Sequence, residues 1–367
     1  MAISKHSSFR PGELWADNNG VHINAHGGGV LFHDGVYYWF GEHKIEGEAG
    51  NFAQVGIHIY SSSDLYNWRD EGIALAVSDD PVSPITRGCI LERPKVIFNP
   101  RSKQFAMWFH LEPKNGGYTG ALSGVAVADN VTGPFHFLES FRPNAAVWPE
   151  NVPTESRHPL SAAEAAYIAT LELPGGPLPY YPKDLLFRRD FAGGQMARDM
   201  TLFVDDDGSA FQIYASEANG TLHISQLSDD FLKPGGKFIR LFPGRFHEAP
   251  AIMKWRSRYF LITSDCTGWA PNQARVSAAD SIWGPWEELG NPCIGTDAQI
   301  ANTFESQCTF ILPAQGKTDD FIFMADRWRA NNAIDGRHVW LPVEFRHGVP
   351  TVRWHDEWRM DSFQQAA

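Results

Sequence analysis

Cysteine is scarce in this chain: Cys89, Cys266, Cys293 and Cys308 are the four among 367 residues, with no C-x-x-C pair. Such spacing excludes a disulfide framework and a cysteine-ligated zinc site, and it suits buried, reduced thiols. Long apolar runs are missing too; none approaches the roughly 20 residues of a membrane span. The opening stretch, Met1 to Arg10, has no apolar core of the kind a secretory leader carries, so the expectation is a cytoplasmic protein, or a secreted or periplasmic one if a leader has been trimmed away. Positive charge is in deficit, with 31 Lys and Arg against 43 Asp and Glu, a net of −12 and no basic run. Nucleic acid and anionic membranes are therefore poor partners, and a neutral polymer or small neutral ligand is a better one.

Helical periodicity is also rare. What recurs instead is short β-branched and aromatic runs bounded by Gly, Asp and Asn. Five units read as strand, turn, strand, longer loop, strand, turn, strand. Their first strands lie near Gly28–Gly35, Pro94–Pro100, Asp199–Gly208, Glu248–Trp255 and Gln307–Leu312. Their last strands are expected around Leu65–Trp68, Gly133–Phe135, Asp230–Leu232, Trp283–Trp286 and Val352–Trp354. This repeat is the signature of propeller blades, and it predicts an all-β, five-bladed β-propeller forming one domain over residues 1–367. A β-sandwich would use similar strands but not this phase. The stretch from about 139 to 194, rich in Pro and Ala, breaks the rhythm and reads as an insertion within the second blade or after it.

Two units open on an acidic residue, Asp199 ahead of Met-Thr-Leu-Phe-Val and Glu248 ahead of Ala-Pro-Ala-Ile-Met. In a radial repeat, equivalent strand starts converge on the axis, so the two carboxylates meet in one cavity. Paired carboxylates are what acid-catalysed sugar-bond cleavage requires. Glu248 is the candidate general acid, since apolar walls at a strand start raise a carboxyl pKa. Asp199 is the candidate that orients it and, as a like charge, lifts its pKa further. Taken singly, each has a plainer reading: a solvated Glu, and an Asp paired with Arg198. Glu92-Arg-Pro-Lys95 opens the second unit in the same phase, with Glu92 on sugar hydroxyls and Lys95 or Arg93 balancing charge; a surface salt-bridge cluster fits the spacing equally. Glu42 falls where the cavity rim should lie, and Trp269 and Trp328 are candidate stacking platforms, although most of the 13 tryptophans must be core. Asp205 to Asp207 read as a solvated turn, because a calcium loop needs a longer ligand pattern.

These motifs together resemble glycoside hydrolase family 43, five-bladed propeller glycosidases that invert anomeric configuration. The resemblance spans nearly all five units except the 139–194 insertion. It is carried by Arg198-Asp-Met-Thr-Leu-Phe-Val-Asp-Asp-Asp-Gly208 and Glu248-Ala-Pro250. Asn24-Ala-His-Gly-Gly28, Glu92-Arg-Pro-Lys95, Gly268-Trp-x-Pro-Asn272 and Ser306-Gln307 are similar to the exo-β-1,3-galactanase and galactosidase branch. It implies Glu248 as general acid and Asp199 as its pKa modulator. Most of the family carries a base Asp in the first blade; here that neighbourhood reads His26-Gly27-Gly28, without a carboxylate. By resemblance to the branch, Gln307 positions or activates the water, with Glu305 and Glu92 as rivals. Glu42, Glu92, Lys95 and Trp269 are the expected substrate contacts, with His26 and Asn272 from the branch motifs. No cofactor or catalytic metal is implied, though the resemblance gives a place for a calcium ion or water near His338. The expected substrate is an oligosaccharide or polysaccharide losing terminal galactose. An α-L-arabinofuranosidase or β-xylosidase is the alternative within the family, and a non-catalytic carbohydrate-binding propeller the alternative outside catalysis.

Overall fold

The alternating β-branched and aromatic runs fold into five antiparallel sheets, each built from consecutive strands. The computed structural model describes residues 6–363 apart from 48, 50, 51, 53, 54, 172–182, 317 and 318. The first blade holds β1 (His26–His33), β2 (Val36–Glu42), β3 (Gly56–Ser62) and β4 (Arg69–Ala76). The second holds β5 (Ile90–Asn99), β6 (Gln104–Glu112), β7 (Leu122–Ala128) and β8 (His136–Phe141). The third comprises β9 (Met200–Val204), β10 (Ala210–Ser216), β11 (Thr221–Leu227) and β12 (Pro234–Leu241). The fourth comprises β13 (Glu248–Trp255), β14 (Arg258–Ser264), β15 (Ala274–Ala279) and β16 (Glu287–Gly290). In the fifth, β17 (Cys293–Ile294) adds in parallel to β21 (Val349–Arg353), outside β20 (Arg337–Arg346), β19 (Phe321–Arg327) and β18 (Gln307–Pro313).

The inner strands form a closed ring: β1 adjoins β5, β5 adjoins β9, β9 adjoins β13, β13 adjoins β18, and β18 returns to β1. A separate apolar core fills each gap between neighbouring blades. Hydrophobic burial therefore seals the ring at every joint, including the one between the last blade and the first. That joint is aromatic. Trp39, Trp68, Trp340 and Trp358 are all buried there with Phe9. The Trp39 and Trp340 ring centroids lie 4.7 Å apart. Phe9 and Trp358 also pair through their backbones, at 2.8 and 3.1 Å. The four cysteines are buried and free. Among the described residues no helix is long and apolar enough to cross a membrane.

Two expectations shift. The outermost strands of the first four blades start later than expected, and the segments read as those strands are the turns leading into them. Leu65, Trp68, Phe135 and Phe231 in these turns are almost fully buried, so their apolar pattern reflects plugs between blades rather than a strand. The insertion starts only after β8, because residues 139–141 belong to that strand, and it lies between the second and third blades. It carries two short helices, α1 (Ala162–Ala169) and α2 (Leu186–Arg189); residues 172–182 within it lie outside the described residues.

Emptying the aromatic joint has a calculable cost. Trp340→Ala should destabilise the protein by about 3–5 kcal/mol, the usual cost of a buried Trp deletion. Urea unfolding would show it, and a loss near zero would mean that the ring is closed elsewhere.

Candidate active site

Three of the inner strands begin with the same irregularity. In β1, β5 and β13 the register to the neighbouring strand slips by one residue between His26 and Gly29, Glu92 and Lys95, and Glu248 and Ala251. The residue after the first is left-handed each time: Gly27 at φ 61°, Arg93 at 55° and Ala249 at 49°. A one-residue bulge of this kind bends a strand and re-aims its side chains. Gly27 has a further constraint, since a Cβ there would lie 2.2 Å from Oε1 of Glu42.

The strand starts enclose a cavity of about 440 Å³, within the usual range for small-ligand sites. Its wall includes Glu42, Glu92, Arg93, Asp199, Glu248 and Gln307. Arg93 lies at the centre. One guanidinium nitrogen donates to Oε1 of Gln307 at 2.6 Å and pairs with Oδ2 of Asp199 at 2.9 Å, while the other donates to the Cys308 carbonyl at 3.0 Å. Trp328 Nε1 also donates to Oε1 of Gln307, at 2.9 Å, and Nε2 of Gln307 donates to Oγ of Ser264, at 2.9 Å. Two donors on one end and an acceptor on the other fix the orientation of the amide. Asp199 also accepts from the Ala249 backbone N–H at 3.1 Å, which ties it to the residue beside Glu248.

The cavity carboxyls differ in acidity. Burial, then the like charge of Asp199, pushes Glu248 up to about 8, so it keeps its proton at neutral pH. Asn219 Nδ2 donates to its Oε1 at 2.5 Å. Burial would raise Glu92 as well, but His110 outweighs it, aided by Lys44 and Tyr118, and holds Glu92 down at about 2. His110 donates to Glu92 and Glu112 at 2.9 Å each; these bonds overcome its burial and raise it to about 9. Burial raises Glu42, whose oxygens meet the Arg93 N–H and the Lys44 ammonium.

Of the residues expected from sequence, Glu248, Asp199, Gln307, Glu42, Glu92, Trp269 and Trp328 line this one cavity. Lys95, Asn272 and His26 do not. The Lys95 ammonium is buried behind the wall and donates to the carbonyls of Gly27 at 2.9 Å and Arg93 at 3.4 Å; burial, with Arg93 beside it, lowers it to about 7. It props the bulges rather than reaching a sugar. Asn272 closes the loop that presents Trp269, bonding Asp265 at both ends of its amide and Oγ1 of Thr267. Glu305 also lies off the wall, with its side chain 67% exposed. His110, Tyr118, Asn219 and Cys266 line the cavity without having been expected. A signal for His110 existed. It pairs across the sheet with Glu92, as Glu42 does with His26, so the ends of second strands also face the axis.

His26 stacks on His338 on the axis behind the cavity, at 5.1 Å, with Asp326 beside them. The His338 ring meets Oδ1 of Asp326 at 2.7 Å and the Ile23 carbonyl at 3.0 Å. Calcium takes six to eight oxygen ligands. This trio offers one carboxylate, already bonded to His338 and to the Gly27 N–H, and two imidazoles, so it does not fit that ion. Both nitrogens of buried His26 lack a hydrogen-bond partner among the described residues.

The profile of glycosyl hydrolases family 43 matches residues 154–350. No curated protein sequence matches. Among solved structures, a family 43 β-1,3-galactosidase bound to galactodeoxynojirimycin is 47% identical, with a TM-score of 0.88 over 96% of this chain and 100% of its own. An exo-β-1,3-galactanase from Phanerochaete chrysosporium bound to β-1,3-galactotriose is 30% identical, with a TM-score of 0.76 over 96% of this chain and 68% of its own. Another exo-β-1,3-galactanase, from Clostridium thermocellum, is 30% identical, with a TM-score of 0.75 over 95% of this chain and 66% of its own.

The raised pKa of Glu248 has a stability consequence of definite sign. A carboxyl near 8 in the folded state and about 4.3 unfolded takes up a proton on folding, so its contribution is fully present only below about pH 4.3, falls as pH rises from there, and is gone once pH has passed 8. Glu248→Gln removes that loss. Its advantage in melting temperature over wild type should be smallest at pH 4, grow as pH rises and reach its full size by pH 9; an advantage that does not change between pH 4 and pH 9 would contradict the assigned protonation.

Proposed function

The chain belongs to glycosyl hydrolases family 43, and we infer that it is an inverting exo-glycosidase releasing terminal galactose from β-1,3-galactan or arabinogalactan-type glycans. The observation that carries the chemistry is a carboxyl held protonated near neutral pH, Glu248, in the same cavity as a fixed amide, Gln307. The galactose reading comes from the relatives: one holds a galactose-shaped iminosugar and another a β-1,3-galactan fragment.

In this reading Glu248 protonates the glycosidic oxygen as the bond to the anomeric carbon breaks, and the electron pair leaves with the departing sugar. Water attacks the anomeric carbon from the opposite face, so a β-linkage yields the α-anomer. Nε2 of Gln307 keeps one N–H beyond its bond to Ser264, and this N–H positions the water oxygen. As the new C–O bond forms, the attacking water becomes strongly acidic and loses its proton to solvent, which then reprotonates Glu248. A weakly basic amide is adequate where positioning is the main requirement.

Glu92 and Glu42 accept hydroxyls of the bound galactose, Glu92 kept ionised by His110. Trp269, 42% exposed and edge-on to Trp328 at 5.8 Å, supplies an apolar face for the sugar ring. Asp199 keeps Glu248 protonated and takes its own countercharge from Arg93. The substrate is a glycan, and the acidic composition argues against nucleic acid or an anionic membrane as partner.

Proton NMR of a digest of β-1,3-galactan tests this directly. Galactose should appear first as the α-anomer and then mutarotate. Glu248→Gln should lower kcat on β-1,3-galactobiose about 10²–10⁴-fold, the range of general acid catalysis. Initial β-galactose would overturn the inverting mechanism, and release of arabinose or xylose instead would overturn the substrate.

A further inference from the structure

The inserted segment between the second and third blades supplies no described residue to the cavity wall, yet it reaches the acid by a continuous path. Ile168 of α1 and Leu186 of α2 pack on Ala218, in the loop between β10 and β11. Ala218 is the middle of three successive left-handed residues, Glu217, Ala218 and Asn219, with φ of 53°, 56° and 65°. Such a run is disfavoured for L-residues and persists only where the surroundings over-determine it.

The surroundings do so from both sides. The Glu217 carboxylate, fully buried, takes Nε and a terminal nitrogen of Arg240 at 2.6 and 2.7 Å and Nε2 of His223 at 2.9 Å. Arg240 lies on β12 and is held from its far side by the insertion. The Lys183 carbonyl accepts from it at 2.5 Å, and the Phe187 ring lies 4.1 Å from its guanidinium carbon. Asn151 bonds its backbone in both directions, at 2.7 and 3.0 Å. At the end of the loop, Asn219 Nδ2 donates to Oε1 of Glu248 at 2.5 Å.

We propose that the insertion is part of the proton-delivery apparatus: acting through Arg240 and Glu217, it holds Asn219 on Oε1 of Glu248, so that the transferable proton sits on Oε2. An oxygen that accepts an N–H serves as the carbonyl oxygen of a protonated carboxyl, and the proton takes the other one. After transfer, the same N–H stabilises the carboxylate left behind. Asn219 and Phe187 are thus positioning residues. The inference rests on Glu248 being the general acid.

The test is the pH dependence of kcat and KM on β-1,3-galactobiose, whose poor leaving group exposes proton delivery. The variants are Asn219→Ala, Phe187→Leu and Phe187→Tyr. A donor to a carboxylate favours its charged form, so losing it moves the basic limb of kcat to higher pH. Asn219→Ala should do so and lower kcat about tenfold with KM nearly unchanged. Phe187→Leu should move the limb in the same direction, and Phe187→Tyr, which keeps the ring, should move it less. General loosening would lower kcat and melting temperature without moving the limb. A limb that stays put in Asn219→Ala, or moves there but not in Phe187→Leu, overturns the proposal. Should Phe187→Leu fail to fold, Arg240→Lys, which keeps the charge but loses the fork on Glu217, gives the same readout. Glu248→Gln is run alongside. If it retains activity, the acid assignment itself falls; if it is dead and Phe187→Leu is unshifted, only the role of the insertion falls.

Discussion

The guanidinium of Arg93, buried at the axis, pairs with Asp199 from the third blade and with Gln307 and the Cys308 carbonyl from the fifth, while its backbone N–H is fixed by Glu42 from the first. Asp199 in turn accepts from Ala249 of the fourth. All five blades thus meet through one residue and its immediate partner. A buried charge network of this kind contributes little net stability, because desolvation offsets much of the attraction. Its effect is positional. It fixes Asp199, beside the start of the Glu248 strand, relative to the Gln307 amide, and a delocalised, planar cation with five donors suits both partners at once.

Around that cation the protein separates the acidity of its carboxyls. Glu92 and Glu248 are both largely shielded from bulk water, yet one is held near 2 and the other near 8. The difference lies in their neighbours: Glu92 faces an imidazolium clamped between two carboxylates, whereas Glu248 faces the carboxylate of Asp199. In the proposed reaction one carboxyl accepts hydroxyls and the other gives a proton. The same fold position, the start of an inner strand, carries both acidities because the neighbouring residues differ.

Much of this was legible in the sequence. The repeat phase gave five blades, and acids at equivalent strand starts gave Asp199 and Glu248 facing one cavity. What was not legible has identifiable causes. Periodicity counts residues along a strand and is blind to a one-residue bulge, so Lys95 was expected to point into the cavity; after the slip at Arg93 it points behind the wall. Apolar turns such as Leu65 to Trp68 imitate strands because they plug the joints between blades. In the insertion, Ser161 and Glu164 form a capping box that starts α1, a local signal present in the sequence, but nothing local reveals where those helices pack. Asn219 depends on a left-handed run that only tertiary contacts impose.

The recurrent bulge makes the ring a socket with interchangeable positions. In the first, second and fourth blades the side chain offered at the strand start sits on a backbone whose path is set by the bulge rather than by the identity of that residue. A substitution there exchanges the chemistry presented without re-threading a strand or opening a joint between blades. New specificities on this scaffold are therefore reachable by single changes at separate strand starts, while Arg93, which several positions share, is the place where such drift meets a hard limit.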